Sequence, residues 1–175
     1  MPVALKHTWA EVLAYAKEPN HQWYAYQGIG GKDEEGSASD RLLQYSDEPL
    51  TQPLFPAHNL GQIKAAIELH RKLQFIIGEK KSKKSCVAVL IEYFKLIRTN
   101  PLFLSKEAYY QVMKHMNGNP SINSRVWLWK VFNFLVNAVQ IEASMIPAVV
   151  NFLLSERKAN LDGTRISFNF CLQMV

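Results

Sequence analysis

The 175-residue sequence has few of the features that mark secreted, membrane-spanning or disulfide-rich proteins. It contains two cysteines, Cys86 and Cys171, which lie far apart and follow no disulfide or metal-ligand spacing. The longest apolar run, residues 145–154, is too short to cross a bilayer as a helix. The amino-terminal residues show no secretory signal pattern, so we expect a reducing, cytoplasmic environment and no transmembrane segment.

Catalytic and metal-binding motifs are also scarce. The histidines form no i, i+4 pair with ligand spacing, and no Gly-x-Ser-x-Gly motif is present. The segment 28–32 is similar to a phosphate-binding loop, but Asp33 replaces the required hydroxyl residue and two further acids follow. Cys86 is better explained as a small apolar residue at a helix start than as a reactive thiol. We therefore expect no enzyme, no cofactor and no metal, with His70 partly buried for structural reasons and His115 exposed.

The apolar residues predict helices. The hydrophobic fraction of 48% is typical of a globular protein, and the chain is long enough to bury a core. Five stretches repeat apolar residues at helical spacing. The residues predicted to face inward are Ile63, Ala66, Ile67, His70 and Ile77; Val87, Leu90, Ile91, Phe94 and Ile97; Tyr109, Val112, Met113 and Met116; Trp127, Val131, Phe134, Leu135 and Ala138; and Ile146, Val149, Val150 and Leu153.

Local signals place the ends of these helices. Gly78 and Gly118 are predicted C-terminal stops, and the Asn100-Pro101 step ends the helix before it. Ser105 is a predicted N-cap for the next helix, with Glu107 in the first turn, where a carboxylate suits the positive end of the dipole.

The expected fold class is all-α. We expect a compact multi-helix bundle with an N-terminal helix, a Gly-rich loop and an irregular or extended C-terminal tail. The expected segments are an N-terminal helix and aromatic segment (1–27), a flexible loop with four glycines (28–40), a helical domain (41–158) and a tail (159–175) in which apolar and polar residues alternate.

Positive charge is concentrated in one part of the chain. The net charge is +5, and one stretch carries seven cations against the two acids Glu68 and Glu79. These cations are Lys64, Arg71, Lys72, Lys80, Lys81, Lys83 and Lys84. They predict a site for an acidic partner, such as the acidic tails of tubulin, an anionic lipid surface or a nucleic acid. The lack of interleaved aromatics disfavours nucleic acid, and the lack of an adjacent amphipathic anchor disfavours stable lipid binding.

A family resemblance rests on the stretch between residues 107 and 127. Its motif residues are Glu107, Tyr109, Gln111, Lys114, Asn119, Pro120, Arg125 and Trp127. This pattern resembles the fourth myosin tail homology domain, as do the doubled Pro-Leu of segment 45–54 and the hydrophobic run closing on Gly and an acid in segment 73–79. The resemblance covers residues 43–157, with Val126 standing where the family has Gly and Ala108 where it usually has Leu or Ile.

The resemblance implies an all-α interaction domain. The family occurs in the tails of unconventional myosins and plant kinesins and in some Rho GTPase-activating proteins, often beside a FERM domain. It implies a cytoskeleton-associated module that binds microtubules or cargo, either as one domain of a longer chain with a motor or FERM domain or as a short stand-alone protein. The alternative is a helical adaptor for anionic membranes or a trafficking partner. We expect the motif residues to be structural, with Arg125 bonded to Glu107 or to carbonyl groups across the turn.

Overall fold

The computed structural model describes residues 44–159, and within them the backbone forms five α-helices and one short 3-10 helix. They are α1 (Leu60–Ile76), α2 (Cys86–Thr99), α3 (Pro101–Met116), α4 (Ile122–Ala138), the 3-10 turn Ala143–Met145 and α5 (Ile146–Ala159). No strand occurs in this part of the chain, so the predicted all-α class is confirmed. The predicted N-terminal helix, the loop 28–40 and residues 160–175 of the predicted tail lie outside the described residues.

Helix α3 lies at the centre of the bundle and packs against α1, α2 and α4. Thirteen of its sixteen residues are buried, as expected for a helix that is surrounded by other helices. The predicted apolar stripe of Tyr109, Val112, Met113 and Met116 is confirmed. Because polar side chains of α3 are buried as well, each of these side chains needs a partner inside the protein.

The helix ends follow the local sequence signals. Gly78 and Gly118 have φ angles of +81° and +79°, a region that glycine enters without the steric cost of a Cβ atom, and both predicted stops are confirmed. Ser85 and Ser121 precede α2 and α4, and each accepts a hydrogen bond from the backbone N–H three residues further on. These caps position the loops that join α1 to α2 and α3 to α4.

The start of α3 differs from the prediction. The helix begins at Pro101 and not after Ser105, which is buried inside the helix. Proline suits the first helical position because its missing N–H would have no partner there in any case. Glu107 is therefore in the second turn, away from the positive end of the helix dipole, and its carboxylate needs another explanation.

The face of α2 that enters the core also differs from the prediction. The predicted residues Val87 and Ile91 are 65% and 51% exposed, and the buried residues are Val89, Tyr93 and Ile97. Apolar residues occupy nearly every position at the start of this helix, so periodicity alone does not select one face. Packing against α1 and α3 selects the stripe that contains the large ring of Tyr93.

The other helices agree with the prediction in part. In α4, Val131 and Leu135 are buried as predicted, but Phe134 and Ala138 are exposed, and Leu128 and Phe132 fill the core instead. In α1, its C-cap Ile77 and α5, the predicted residues that are buried are Ala66, His70, Ile77, Val149 and Leu153. No helix among the described residues is long and apolar enough to span a membrane.

Candidate functional site

The loop between α1 and α2, residues 79–84, carries four of the predicted lysines. The backbone N–H groups of Glu79 and Lys80 both donate to the carbonyl oxygen of Gln74, at 3.0 and 3.1 Å, and fold the loop back onto the end of α1. Gly78 allows the reversal and the Ser85 cap starts the next helix. The loop is thus held at both ends, and its lysines are exposed.

Three of the seven predicted cations are engaged by acids of the protein itself. The Nζ atom of Lys72 lies 3.1 Å from Glu68 and 2.8 Å from Glu92, and Lys84 also contacts Glu92. Arg71 pairs with Glu68 at 2.8 Å. Hydrogen bonds from Lys72 and then Lys84 lower the pKa of Glu92 to about 2, so this carboxylate stays charged at neutral pH.

The remaining cations fall into two places. Lys80, Lys81 and Lys83 are exposed on the loop and form no ion pair with any described residue. Lys64 is also exposed, but it lies on α1 ten residues before Gln74, to which the loop is bonded, or about 15 Å away along the helix axis at 1.5 Å per residue. The structure therefore does not bring Lys64 to the loop. We call Lys80, Lys81 and Lys83 the loop lysines.

The acid Glu92 was missed by the sequence analysis. Seven cations against two acids give +5, and a third acid reduces the local charge to +4. Glu92 follows the basic stretch in α2 and carries no local signal for pairing, because its contact with Lys72 depends on the packing of α1 against α2. Only the tertiary structure separates the paired cations from the loop lysines.

The inner side of the loop is fastened to the bundle by Glu79. Its carboxylate accepts a hydrogen bond from the Nδ2 atom of Asn119 at 3.1 Å and lies 3.4 Å from the Nδ1 atom of His115. His115 is 0% exposed, so the prediction that it is exposed is wrong. It lies where α3 faces α1 and the loop, a position that sequence periodicity placed at the edge of the apolar stripe.

His115 contacts a second buried histidine, His70. The two Nε2 atoms are 2.8 Å apart, and the backbone N–H of Leu50 donates to the Nδ1 atom of His70 at 3.4 Å. Because Nδ1 of His70 accepts, its Nε2 carries the proton and donates to His115, whose own proton then faces Glu79. Burial first, and then the electrostatic effects of His115, Lys114 and Lys80, lower the pKa of His70 to about 3, so the ring of His70 is neutral at neutral pH.

Glu107 and Gln111 connect α3 to the extended segment 50–56. Glu107 accepts hydrogen bonds from the backbone N–H of Phe55 at 2.7 Å and from Gln111 Nε2 at 2.9 Å, and Leu54 also donates to it. Gln111 in turn donates to the carbonyl oxygen of Ala66 in α1 at 3.1 Å. Burial raises the pKa of Glu107 to about 7, against the opposing effect of these donors. The side chain acts as an internal cap for a segment that has no regular structure.

The other motif residues are distributed around the same helix. Tyr109 donates to the carbonyl oxygen of Val139 at 3.2 Å, and Lys114 donates to that of Gln44 at 2.6 Å. Burial lowers the pKa of Lys114 to about 8.

The motif residues that follow α3 lie in the turn and in α4. Arg125 lies 3.9 Å from Glu156, so of the two kinds of partner expected for it Glu107 is wrong, and the carbonyl groups across the turn stay a prediction. Trp127 is half-buried beneath the ammonium group of Lys130, and Pro120 is exposed in the turn before α4.

No arrangement for chemistry stands out among the described residues. No group of three His, Cys, Asp or Glu side chains in residues 44–159 is placed to hold a metal ion. Cys86 is the first residue of α2 and is half-buried, and its Sγ atom lies 3.7 Å from the carbonyl oxygen of Ile76. The polar groups that the fold gathers serve mainly to hold loops and helices together.

Comparison with known proteins finds similarity in structure only. No family model and no curated protein matches the sequence. Solved structures do match. The MyTH4-FERM MF2 domain of Dictyostelium discoideum myosin VII superposes with a TM-score of 0.72 at 13% identity over 96% of this chain. The C-terminal MyTH4-FERM domain of human myosin 7b, in complex with the harmonin-a PDZ3 domain, superposes with a TM-score of 0.66 at 19% identity over 95% of this chain.

These neighbours confirm the myosin tail homology resemblance at the level of the fold. The MF1 domain of the Dictyostelium protein also matches, with a TM-score of 0.67 at 17% identity over 94% of this chain. The chain spans about a third of the length of these structures, 31–32% of each.

Proposed function

We propose that this chain is a non-catalytic interaction module of the myosin-tail type that binds an acidic filament surface, such as the tails of tubulin, through the loop lysines. The proposal rests chiefly on one observation. Lys80, Lys81 and Lys83 are exposed cations that form no ion pair with an acid of residues 44–159, on a loop that Glu79 holds against the bundle. Lys84 lies on the same loop but is paired with Glu92, and Arg71, Lys72 and the more distant Lys64 add positive charge from α1.

The energetics favour a weak, salt-dependent contact. An exposed pair of opposite charges contributes about 0.2–1 kcal/mol, so three loop lysines would supply roughly 1–3 kcal/mol to binding. A held loop loses less conformational entropy on binding than a flexible one, so the contacts of Glu79 support the same site.

The test is co-sedimentation with microtubules. The triple variant Lys80→Glu, Lys81→Glu and Lys83→Glu should lose binding, and the parent should bind less as salt rises above about 0.1 M, where the Debye length is about 10 Å. Lys84 is left unchanged, because reversing it would place two carboxylates together at Glu92.

A matched control separates the site from the net charge. The variant Lys95→Glu, Arg98→Glu and Lys130→Glu makes the same charge change at exposed positions on α2 and α4. It should retain most of the binding. Equal loss in both variants would show that only overall charge matters, and no loss in the loop variant would remove the proposed site.

The proposed setting is the cytoplasm, in association with the cytoskeleton. The fold neighbours carry a FERM domain beside the matched part, so we propose that the parent chain carries one too, with or without a motor. The coding sequence next to this segment tests that directly. The PDZ domain bound by the myosin 7b structure makes a protein partner the natural class of cargo.

Anionic membranes are the second candidate, and one feature favours them. Val87 is exposed one turn from the loop lysines and supplies an apolar contact beside the positive charge. Flotation with liposomes that contain phosphoinositides separates this candidate from filament binding. Flotation that is lost in Val87→Ser while microtubule binding persists would assign the loop to membranes as well.

A further inference from the structure

An open apolar groove lies at the far end of α2 from the loop lysines. It encloses about 530 Å³ between the end of α2, the start of α3 and the segment that follows α4. The larger apolar side chains that line it are Phe94, Ile97, Leu102, Val139, Ile141 and Met145. This volume is within the range of sites that bind a drug-sized group or a few side chains of a partner.

The groove continues into an exposed apolar stripe along α2. Val87, Ile91 and Phe94 follow one another at spacings of four and three residues, so they share one face of the helix. The ring of Phe94 meets that of Phe134 on α4 edge to face at a centroid distance of 6.3 Å, which joins the two helices at the surface. Leu102, at the mouth of the groove, is 83% exposed. Isolated exposed apolar residues are ordinary, but a continuous set across two helices and a groove is typical of a docking surface.

The charges around this surface are predominantly positive. Arg98 lines the groove one turn beyond Phe94, is exposed, and forms no ion pair with any residue in 44–159. Lys106 is paired with Glu142 at 2.6 Å, which neutralises the only carboxylate among the described residues that line the groove. Lys95 and Lys130 are exposed on the same two helices. An occupant of this surface must therefore supply apolar side chains and negative charge together.

We infer that the groove and the stripe on α2 bind an acidic amphipathic helix of a partner protein. The stripe from Val87 to Arg98 is about 17 Å long at 1.5 Å per residue, which matches three turns of a helix. Apolar residues at i, i+3, i+4 and i+7 of the partner would fill the groove and cover the stripe. Carboxylates beside them would meet Arg98, Lys95 and Lys130. The groove and Arg98 lie at the other end of α2 from the loop lysines, and only Val87 is close to both. The inference therefore does not depend on the role of the loop lysines.

A labelled peptide tests the inference with the full chain. The probe is a synthetic 16-residue helix with Leu and Phe at i, i+3, i+4 and i+7 and Glu at the flanking positions. Fluorescence anisotropy should show saturable binding, at least tenfold weaker for a peptide with Lys in place of each Glu. Leu102→Asp should weaken binding at least tenfold, whereas Ile122→Asp, at an exposed position outside the groove, should not.

Charge exchange gives the sharper result. Arg98→Glu should weaken binding of the Glu peptide and strengthen binding of the Lys peptide. Non-specific hydrophobic binding would not show this exchange. Equal binding of the two peptides, equal effects of the Leu102 and Ile122 variants, or no binding at millimolar peptide would overturn the inference. Self-association of the chain that Leu102→Asp abolishes would also overturn it, because the occupant would then be a second copy.

Discussion

Removal of the buried carboxylate of Glu107 should be among the most damaging single changes in the protein. Glu107→Ala leaves the backbone N–H groups of Phe55 and Leu54 without their acceptor, while Gln111 keeps its bond to the Ala66 carbonyl. Each buried donor that loses its partner costs about 1–3 kcal/mol, so two donors predict a loss of about 4 kcal/mol in the free energy of unfolding. A loss of this size is a large part of the stability of an ordinary domain, which is about 5–15 kcal/mol.

Urea unfolding followed by tryptophan fluorescence measures this loss, since Trp127 and Trp129 lie in α4. The control is Glu68→Ala, which removes an acid from a surface network and should cost no more than about 1 kcal/mol. Glu107→Gln should fall between the two, because the amide keeps one acceptor but turns an NH₂ group towards a donor. If Glu107→Ala were no more destabilising than Glu68→Ala, the carboxylate would not hold segment 50–56 in place.

Two further predictions concern the buried polar groups. The pKa of His70 is about 3, below its ordinary value of 6.5, so the free energy of unfolding rises with pH between 3 and 6.5. The pKa of Glu107 is about 7, above its ordinary value of 4.5, so the free energy of unfolding falls with pH between 4.5 and 7. Each effect changes the free energy of unfolding by about 1.4 kcal/mol per pH unit, and the two cancel between pH 4.5 and 6.5. Below pH 4.5 only the His70 effect remains, so stability should drop mainly there. Urea unfolding at a series of pH values should show that the free energy of unfolding falls less below pH 4.5 in His70→Gln than in the parent. An equal fall in both proteins would show that His70 is not its cause. Separately, Tyr109→Phe should cost about 1 kcal/mol because it loses the bond to Val139, whereas Tyr93→Phe should be neutral or stabilising, since its buried hydroxyl has no hydrogen-bond partner among the described residues. Thermal unfolding of both variants checks this, and a larger cost for Tyr93→Phe would refute it.

Local chemistry determined the helices and their ends. Gly78 and Gly118 stop helices because they alone enter positive φ without strain, and Asn100-Pro101 ends one helix and begins the next. The lysines of residues 80–84 were expected in a loop for the same reason, as they follow a glycine stop. The stretches 45–54, 73–79 and 107–127, in the order of a myosin tail homology domain, were enough to predict the fold, although identity to the solved neighbours is only 13–19%.

Tertiary packing decided which side chains meet. Glu107 accepts from a backbone group 52 residues earlier, and His115 reaches His70 over 45 residues, so neither contact has a signal in the neighbouring sequence. The same holds for Glu92, which divides the basic stretch into paired cations and loop lysines. Helix α2 is apolar on several sides, so packing against its neighbouring helices determines which face is buried. The apolar residues that remain at the surface form the stripe and part of the groove. Backbone geometry acts over a few residues and can be deduced from them, but burial depends on the arrangement of the whole bundle.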